Sequence, residues 1–405
     1  MSYNDIPALS FEPGWLFTFA VIFLMNAFLL AHWAVTDFRT RRLAKTLVCV
    51  SVNVGLAIPF FIYFARFLGG MRYEPYMIPL SYFAGFYLCF SLYASGVFFF
   101  TDIFCGIRWL LRRRRERRRR CGLRQCELQR RRGLRFPALL KPRFTLGVAA
   151  VCVVCALAAF YTPTHITTTE YDVTLDRRDS SLTELRAVFI SDTHTGGGVR
   201  EKELDDIVAR ANAAKPDIVL LGGDIIDEGT PEYLKRYTAE RFGGLESVYG
   251  TYYIIGNHDA SRSNAAAVVS LFEGAGIRCL LDETVMIGGE FYLIGRDDSS
   301  LRRRPLSELE AKATENLPVV LLDHRPRVGE VKSSDVVELQ LSGHTHDGQI
   351  FPFHVLDPLG LFTLNYGYYE KSGTQIIVSS GAGEFAVPVR LGSPAEILVV
   401  DITLR

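Results

Sequence analysis

SGHTH, residues 342–346, follows the apolar run VELQL and sets two of the chain's eight histidines two positions apart, with a glycine before the first and an aspartate after the second. Extended backbone sends residues i and i+2 to the same side, so His344 and His346 are expected to aim their imidazoles at a common point. A buried structural histidine seldom needs a twin. The pair therefore asks for further donors elsewhere in the chain.

Those donors follow other short apolar runs. LRAVFIS leads into Asp192-Thr193-His194, DIVLLGG into Asp224, TYYIIG into Asn257-His258-Asp259, and PVVLLD into His324. With VELQLSG, five strand ends deliver N and O donors, and the carboxyl edge of strands in an α/β sheet is where loops converge on ligands. Gly222-Gly223, Gly256 and Gly343 stand just before the donors, where a tight turn needs a residue without Cβ. Carboxylate, imidazole and amide groups without thiolate suit Mn²⁺, Zn²⁺ or Fe²⁺. The donors outnumber one octahedron, so two divalent ions are expected.

From about residue 165 the chain alternates short strands and amphipathic helices, which suits one α/β domain. The expected strands are 185–191, 217–222, 251–255, pieces across 277–295, 318–322, 336–341, 374–379 and 395–403; the expected helices are 200–213, 231–241, 264–274 and 305–313.

Taken in order, D-x-H, G-D, G-N-H-D, H and G-H-x-H over about residues 170–405 resemble the calcineurin-like metallophosphoesterase superfamily. The closing stretch from HTHDGQI through GTQIIVSSGAGEF to RLGSPAEILVVDI resembles its membrane-attached, transmembrane metallophosphoesterase-like branch. That resemblance implies an α/β metallophosphoesterase domain built as a four-layer α/β/β/α sandwich, and hydrolysis of a phosphate ester. It implies one metal held by Asp192, His194 and His346, another by Asn257, His324 and His344, with Asp224 bridging. His258 would contact the phosphate or protonate the leaving oxygen, and Asp259 would orient it. Two such cations lower the pKa of a bridging water and clamp phosphoryl oxygens, so a bridging hydroxide is the expected nucleophile. Asp347 departs from the branch, which has glycine there; its carboxylate could tune a ligand or face solvent.

The first half has a different composition. The whole chain is 49% hydrophobic with mean hydropathy +0.15, high for a purely soluble protein. Segments 15–36, 46–68, 76–104 and 144–161 are long and apolar enough to cross a bilayer of ~30 Å, which takes about 20 helical residues. The fourth is short and Ala-rich, and a buried or surface helix is its alternative. Charge is unevenly spread: 108–143 holds sixteen Lys/Arg against two Glu and carries +14, leaving −13 on the rest. The domains expected are a transmembrane region 1–107 with about three helices, an arginine-rich cytoplasmic loop 108–143, a fourth transmembrane helix 144–161, and the catalytic domain 165–405.

Arg39, Arg41, Arg42 and Lys45 mark the first loop as cytoplasmic, as RRRRERRRR marks the third. Four crossings then put the catalytic domain outside the cytoplasm of a multi-pass protein of the cell membrane. The basic loop fits anionic lipid headgroups; it lacks the interleaved aromatics of a nucleic-acid surface. Seven of the eight cysteines precede residue 160, which argues against a disulfide scaffold. Cys152 and Cys155 sit in an apolar run and read as small fillers rather than a redox pair.

The substrate expected is a phosphomonoester, phosphodiester or pyrophosphate, lipid-linked or part of a wall polymer. One alternative is a UDP-diacylglucosamine pyrophosphatase of lipid A synthesis; another is a non-catalytic membrane scaffold with a lipid- or RNA-binding basic loop. His32, His165 and His354 match no motif and read as packing or interface residues. Gly196–Gly198 fit a phosphate-contacting loop or a plain turn. LFTLNYGYYE, 361–370, reads as a core edge or a lipid-docking segment, and Arg302–Arg304 as solvated charge or as anion recognition.

Overall fold

A computed structural model of the chain describes residues 54–66, 77–121, 142–197, 199–227, 229–259, 265–326, 334, 336–353 and 365–405. The apolar segment 15–36, the ends of segment 46–68, residues 122–141 of the basic stretch, His32 and His354 lie outside them. Two compact units result, one holding the described residues of Tyr63–Tyr82 and Ala158–Arg405, the other the described residues up to Ile62 and those of Phe83–Leu157.

Among the described residues, three apolar helices belong to the first half: α1 (Val54–Arg66), α2 (Met77–Cys121) and α3 (Pro142–Ala158). Among the described residues, two spans are by length and composition able to cross a membrane, Met77–Arg115 and Gly147–Thr164. One expectation needs correcting. The arginine run begins as a continuation of α2 as far as Cys121, not as a loop. Arginine is a good helix former, so an apolar helix entering an Arg-rich stretch has no local reason to stop there.

The second half contains two six-stranded sheets. In the first, the order is β1 (Ile166–Leu175), β12 (Ala395–Leu404), β2 (Glu184–Ile190), β3 (Ile218–Leu221), β4 (Thr251–Tyr253), β5 (Arg278–Cys279). In the second it is β10 (Gly367–Lys371), β11 (Thr374–Val378), β9 (Leu339–Ser342), β8 (Val319–Leu322), β7 (Phe291–Gly295), β6 (Glu283–Ile287). The neighbours β2 to β5 are parallel, as are β11, β9, β8 and β7. Parallel ladders need both faces covered, and the apolar runs supply both.

Alternation divides each strand between two cores. Leu185, Ala187, Phe189, Leu220, Leu398 and Val400 face Leu293, Val320, Leu322, Leu339, Leu341 and Ile377 between the sheets. Val188, Ile190, Val219 and Leu221 point the other way, onto α4 (Glu201–Ala213), α5 (Glu232–Gly243) and α6 (Ala265–Gly274) through Leu204, Ile207, Phe242 and Phe272. Behind the second sheet Ile294, Val319 and Leu321 meet Leu306 and Leu309 of α7 (Leu306–Glu310). The result is helices, sheet, sheet, helix, the four-layer arrangement.

Two strands were not expected. β1, ITTTEYDVTL, alternates between buried and open positions at a sheet edge and reads as polar. β10, GYYEK, is a mostly exposed edge strand paired antiparallel with β11.

Candidate metal centre

Every expected donor follows a strand, but the five strands belong to two sheets. β2, β3 and β4 of the first sheet end before Asp192, His194, Asp224 and Asn257; β8 and β9 of the second end before His324, His344 and His346. Convergence is made by two sheet edges facing one another across the inner core.

The paired histidines also behave differently from the expected pleat. His344 and His346 have φ of +73° and +50°, and Asp192 and His194 have +53° and +42°. These are left-handed turns, not extended strand. The twins therefore part: His346 joins Asp192 and His194 in one group, and His344 joins Asp224 and His324 in another, the donor atoms of each lying within 4.8 Å of one another. Asp224 stands between the groups, with Oδ2 3.1 Å from His324 Nε2 and 3.7 Å from His194 Nε2.

Glycines permit this crowding. A Cβ on Gly256 would lie 2.2 Å from Asp224 Oδ1, and one on Gly343 would lie 2.1 Å from Asp192 Oδ2. Both distances are impossible for a side chain, so backbone approach is what brings the carboxylates in.

The donor set fits cations. His324 donates from Nδ1 to the Gly222 carbonyl at 2.9 Å, which leaves Nε2 buried without a hydrogen-bond partner and facing a carboxylate. Asn257 Oδ1 is likewise buried without one. Buried polar atoms of this kind are costly unless something satisfies them. His194 donates from Nδ1 to Asp227 Oδ1 at 3.0 Å, and its Nε2 lies 3.1 Å from His346 Nε2. Two nitrogens bound to one metal at about 2.0–2.1 Å and at right angles stand roughly 3 Å apart.

The electrostatics agree. Burial pulls the His324 imidazole down, yet Asp224 and Asp192 outweigh it and carry it up to about 10. His194 is likewise lowered by burial and raised by Asp227 and Asp224, to about 9. The carboxylates are asking for positive charge. His344 and His346 are held well below their ordinary value, first by burial and then by His324 and His194 respectively, and stay neutral as ligands must.

Asp259 needs reassigning. Its carboxylate accepts from the backbone N–H groups of Asp224 (2.6 Å), Ile225 (2.7 Å), Ile226 (3.0 Å) and Gly256 (2.7 Å), tying two ligand loops together. Asp227 Oδ1, which accepts from His194 Nδ1, lies 3.9 Å from His258 Nδ1, within ion-pair reach of that ring. His258 is half-buried at 21% exposure, and its ring lies 4.7 Å from that of Phe385 at a tilt of 39°. Asp347 does not face solvent: it is buried, sits at φ +49° where the branch's glycine would be at ease, and accepts from Asn365 Nδ2 at 2.8 Å.

Residues 185–348 match the family profile of the calcineurin-like phosphoesterases. An uncharacterized metallophosphoesterase of Aquifex aeolicus is 32% identical over 228 residues, 54% of this chain and 85% of that protein. The chain belongs to the calcineurin-like metallophosphoesterases. An uncharacterized metallophosphoesterase of Helicobacter pylori is 36% identical over 234 residues, 56% of this chain and 61% of that protein. A transmembrane protein with metallophosphoesterase domain from Bos taurus is 31% identical over 278 residues, 64% of this chain and 61% of that protein. The alignments thus span about three fifths of the length of these last two relatives.

Within this metallophosphoesterase centre, three contributors were missed from sequence: Asp227, Phe385 and Arg390. Asp227 had a signal, the second carboxylate of GGDIID. Arg390 is fully buried, with its guanidinium donating to the carbonyls of Ser380 (2.6 Å) and Gly381 (3.1 Å) and lying 3.1 Å from His346 Nδ1. Nothing local in RLGSP announces that reach.

Proposed function

We propose that the chain is a membrane-anchored hydrolase of phosphate esters that uses two divalent cations, of which Mn²⁺, Zn²⁺ and Fe²⁺ suit the donors. Asp192, His194 and His346 would hold one ion. Asn257, His324 and His344 would hold the other, and Asp224 would serve both. The observation that carries this reading is the pair of buried donor groups with Asp224 Oδ2 within 3.1–3.7 Å of a histidine from each.

When bound, two such ions supply Lewis acidity toward phosphoryl oxygens and bring the pKa of water down toward neutrality. The chain's own residues do the rest. Asp227 fixes the His194 tautomer through Nδ1, as a carboxylate behind a ligand histidine does. His258, open at the rim, is the group able to give a proton to a leaving oxygen. Phe385 covers the imidazoles of His194, His258 and His346 with an apolar ring, which thins the water over the site.

Two spans able to cross a bilayer and a relative named a transmembrane protein support anchoring. The positive-inside distribution supports a multi-pass chain with the catalytic domain outside the cytoplasm. Membership of the end of α1, the start of α2 and everything after Ala158 in one compact unit is consistent with that topology.

The test is metal analysis and a phosphoester panel on the full chain in detergent, including p-nitrophenyl phosphate and its bis ester. Asp224→Ala is expected to lose both metal and turnover. His258→Ala is expected to keep its metal while kcat falls by about 10²–10⁴-fold. Unchanged turnover in the Asp224 variant, or protein that takes up no metal, overturns the reading.

A further inference from the structure

Arg390 joins two parts of the molecule that sequence keeps 231 positions apart. Its backbone N–H donates to the Ala159 carbonyl at 2.7 Å, one residue beyond the end of α3. Its guanidinium, buried completely, lies 3.1 Å from the ring of His346. A single residue therefore connects the end of the last apolar helix to a histidine of the metal centre.

The neighbouring segment is braced in the same way. The Tyr63 hydroxyl, near the end of α1, donates to the Ala386 carbonyl. Phe385, the residue before, packs 4.7 Å from His258 and 5.5 Å from His194. Glu384 to Leu391 thus touches the site residues on one side and the ends of two apolar helices on the other.

Exposed aromatic side chains collect on this edge. Phe351 donates its N–H to the Leu391 carbonyl at 2.7 Å. The side chains of Phe351 and Phe353 are 46% and 40% exposed, and Tyr161, two residues past Ala159, is 64% exposed. Aromatic rings flanking the end of an apolar helix are the composition of a bilayer interface, with the apolar body inward and the polar tip toward headgroups.

The geometry points to this edge of the catalytic domain docking on the bilayer, with Phe351, Phe353 and Tyr161 at headgroup depth, so that the metal centre acts on the phosphate groups of lipids presented at the surface. The substrate part rests on the hydrolase reading above; the docking part does not.

The experiment uses the full chain with Trp15, Trp33 and Trp109 replaced by Phe and one tryptophan reintroduced as Phe353→Trp, Tyr161→Trp or Tyr233→Trp. Each variant is reconstituted in phosphatidylcholine–phosphatidylglycerol vesicles carrying lipids brominated at shallow or deep chain positions. Tyr161→Trp reports the span itself, and Tyr233→Trp, 64% exposed on α5, is the water-facing reference. Emission from Trp at 353 is expected to fall about twofold with shallow bromines and less with deep ones, as for an interfacial ring. Emission at 353 as resistant as that at 233 overturns the docking, whether water or a protein partner covers the edge. Because quenching needs no turnover, an inactive protein that still shows it removes the hydrolase reading alone.

A second measurement tests the substrate class with Mn²⁺-loaded protein. Phosphatidic acid and phosphatidylglycerol in vesicles are compared with glycerol phosphate and glycerophosphoglycerol in solution. At least one lipid is expected to exceed its deacylated counterpart in kcat/KM by about tenfold or more, the benefit of a high local concentration. Equal or better turnover of the soluble esters, or of neither kind, withdraws the lipid assignment.

Discussion

Asp259 illustrates how much a single carboxylate can organise. Four backbone N–H groups from two ligand loops donate to it, so its removal would leave several buried donors unsatisfied at about 1–3 kcal/mol each. Asp259→Ala is expected to lose more than about 3 kcal/mol in denaturant unfolding, whereas Asp259→Asn keeps one acceptor oxygen and loses less. Asp227 acts at a different point. It accepts from the buried His194 Nδ1, so Asp227→Ala is expected to weaken metal binding by about 10–100-fold and to cost about 1–3 kcal/mol in unfolding, less than Asp259→Ala; chelator competition measures the first and denaturant titration the second. At this scale the sequence was a good guide to donors and a poor one to supporters. Asp192, His194, Asp224 and His324 sit directly after apolar runs, where strand ends can be read. Asp259 and Arg390 act through contacts 33–44 positions away in sequence, and no local pattern encodes those.

At the scale of elements, the loops after the strands work because glycine lets them close. Gly256→Ala and Gly343→Ala are expected to push Asp224 and Asp192 out of place and lower metal stoichiometry while the far-UV spectrum of the sheets is kept. Full metal occupancy in both variants would show that the backbone yields more easily than the 2.1–2.2 Å contacts suggest. The β6–β7 turn offers a pH test away from the candidate metal centre. The Ser181 and Ser180 hydroxyls and the Ser181 N–H hold the Glu290 carboxylate down to about 2. A depressed acid contributes stability above its unfolded value, about 4.3, and loses it as pH falls toward 2. Glu290→Gln is therefore expected to lower Tm at pH 7, and the gap from the parent protein should close between about pH 4 and pH 2. The strands that sequence missed share a cause. β1 and β10 lie at sheet edges, where one face is open and polar residues are tolerated, so the apolar alternation that revealed the inner strands is diluted there.

For the whole molecule, the two candidate spans among the described residues raise the question of membrane placement and sidedness, which the proposed topology answers with the catalytic domain outside. Cys279 is a poor reporter: it is 6% exposed, and burial, reinforced by Glu273 and Asp259, pushes its thiol up to about 12. An epitope fused after Arg405 is better, since that residue is exposed. Protease added to intact spheroplasts is expected to remove the epitope; protection until the membrane is breached would reverse the orientation. The arginine-rich stretch was legible as charge but not as structure. Its first residues extend α2 to Cys121, which hydropathy alone could not foresee because the apolar signal stops earlier.

The ladder between β1 and β12 reaches across 229 positions, from Ile166 beside α3 to Ala395. A nascent chain emerging at about 5–20 residues per second therefore keeps β1 waiting on the order of ten to fifty seconds before its neighbour is made. An unpaired edge strand is a template for wrong partners. Charged side chains discourage wrong edge pairing, and Glu170 and Asp172 lie within that strand, so neutralising both is expected to show up first as aggregated newly made protein.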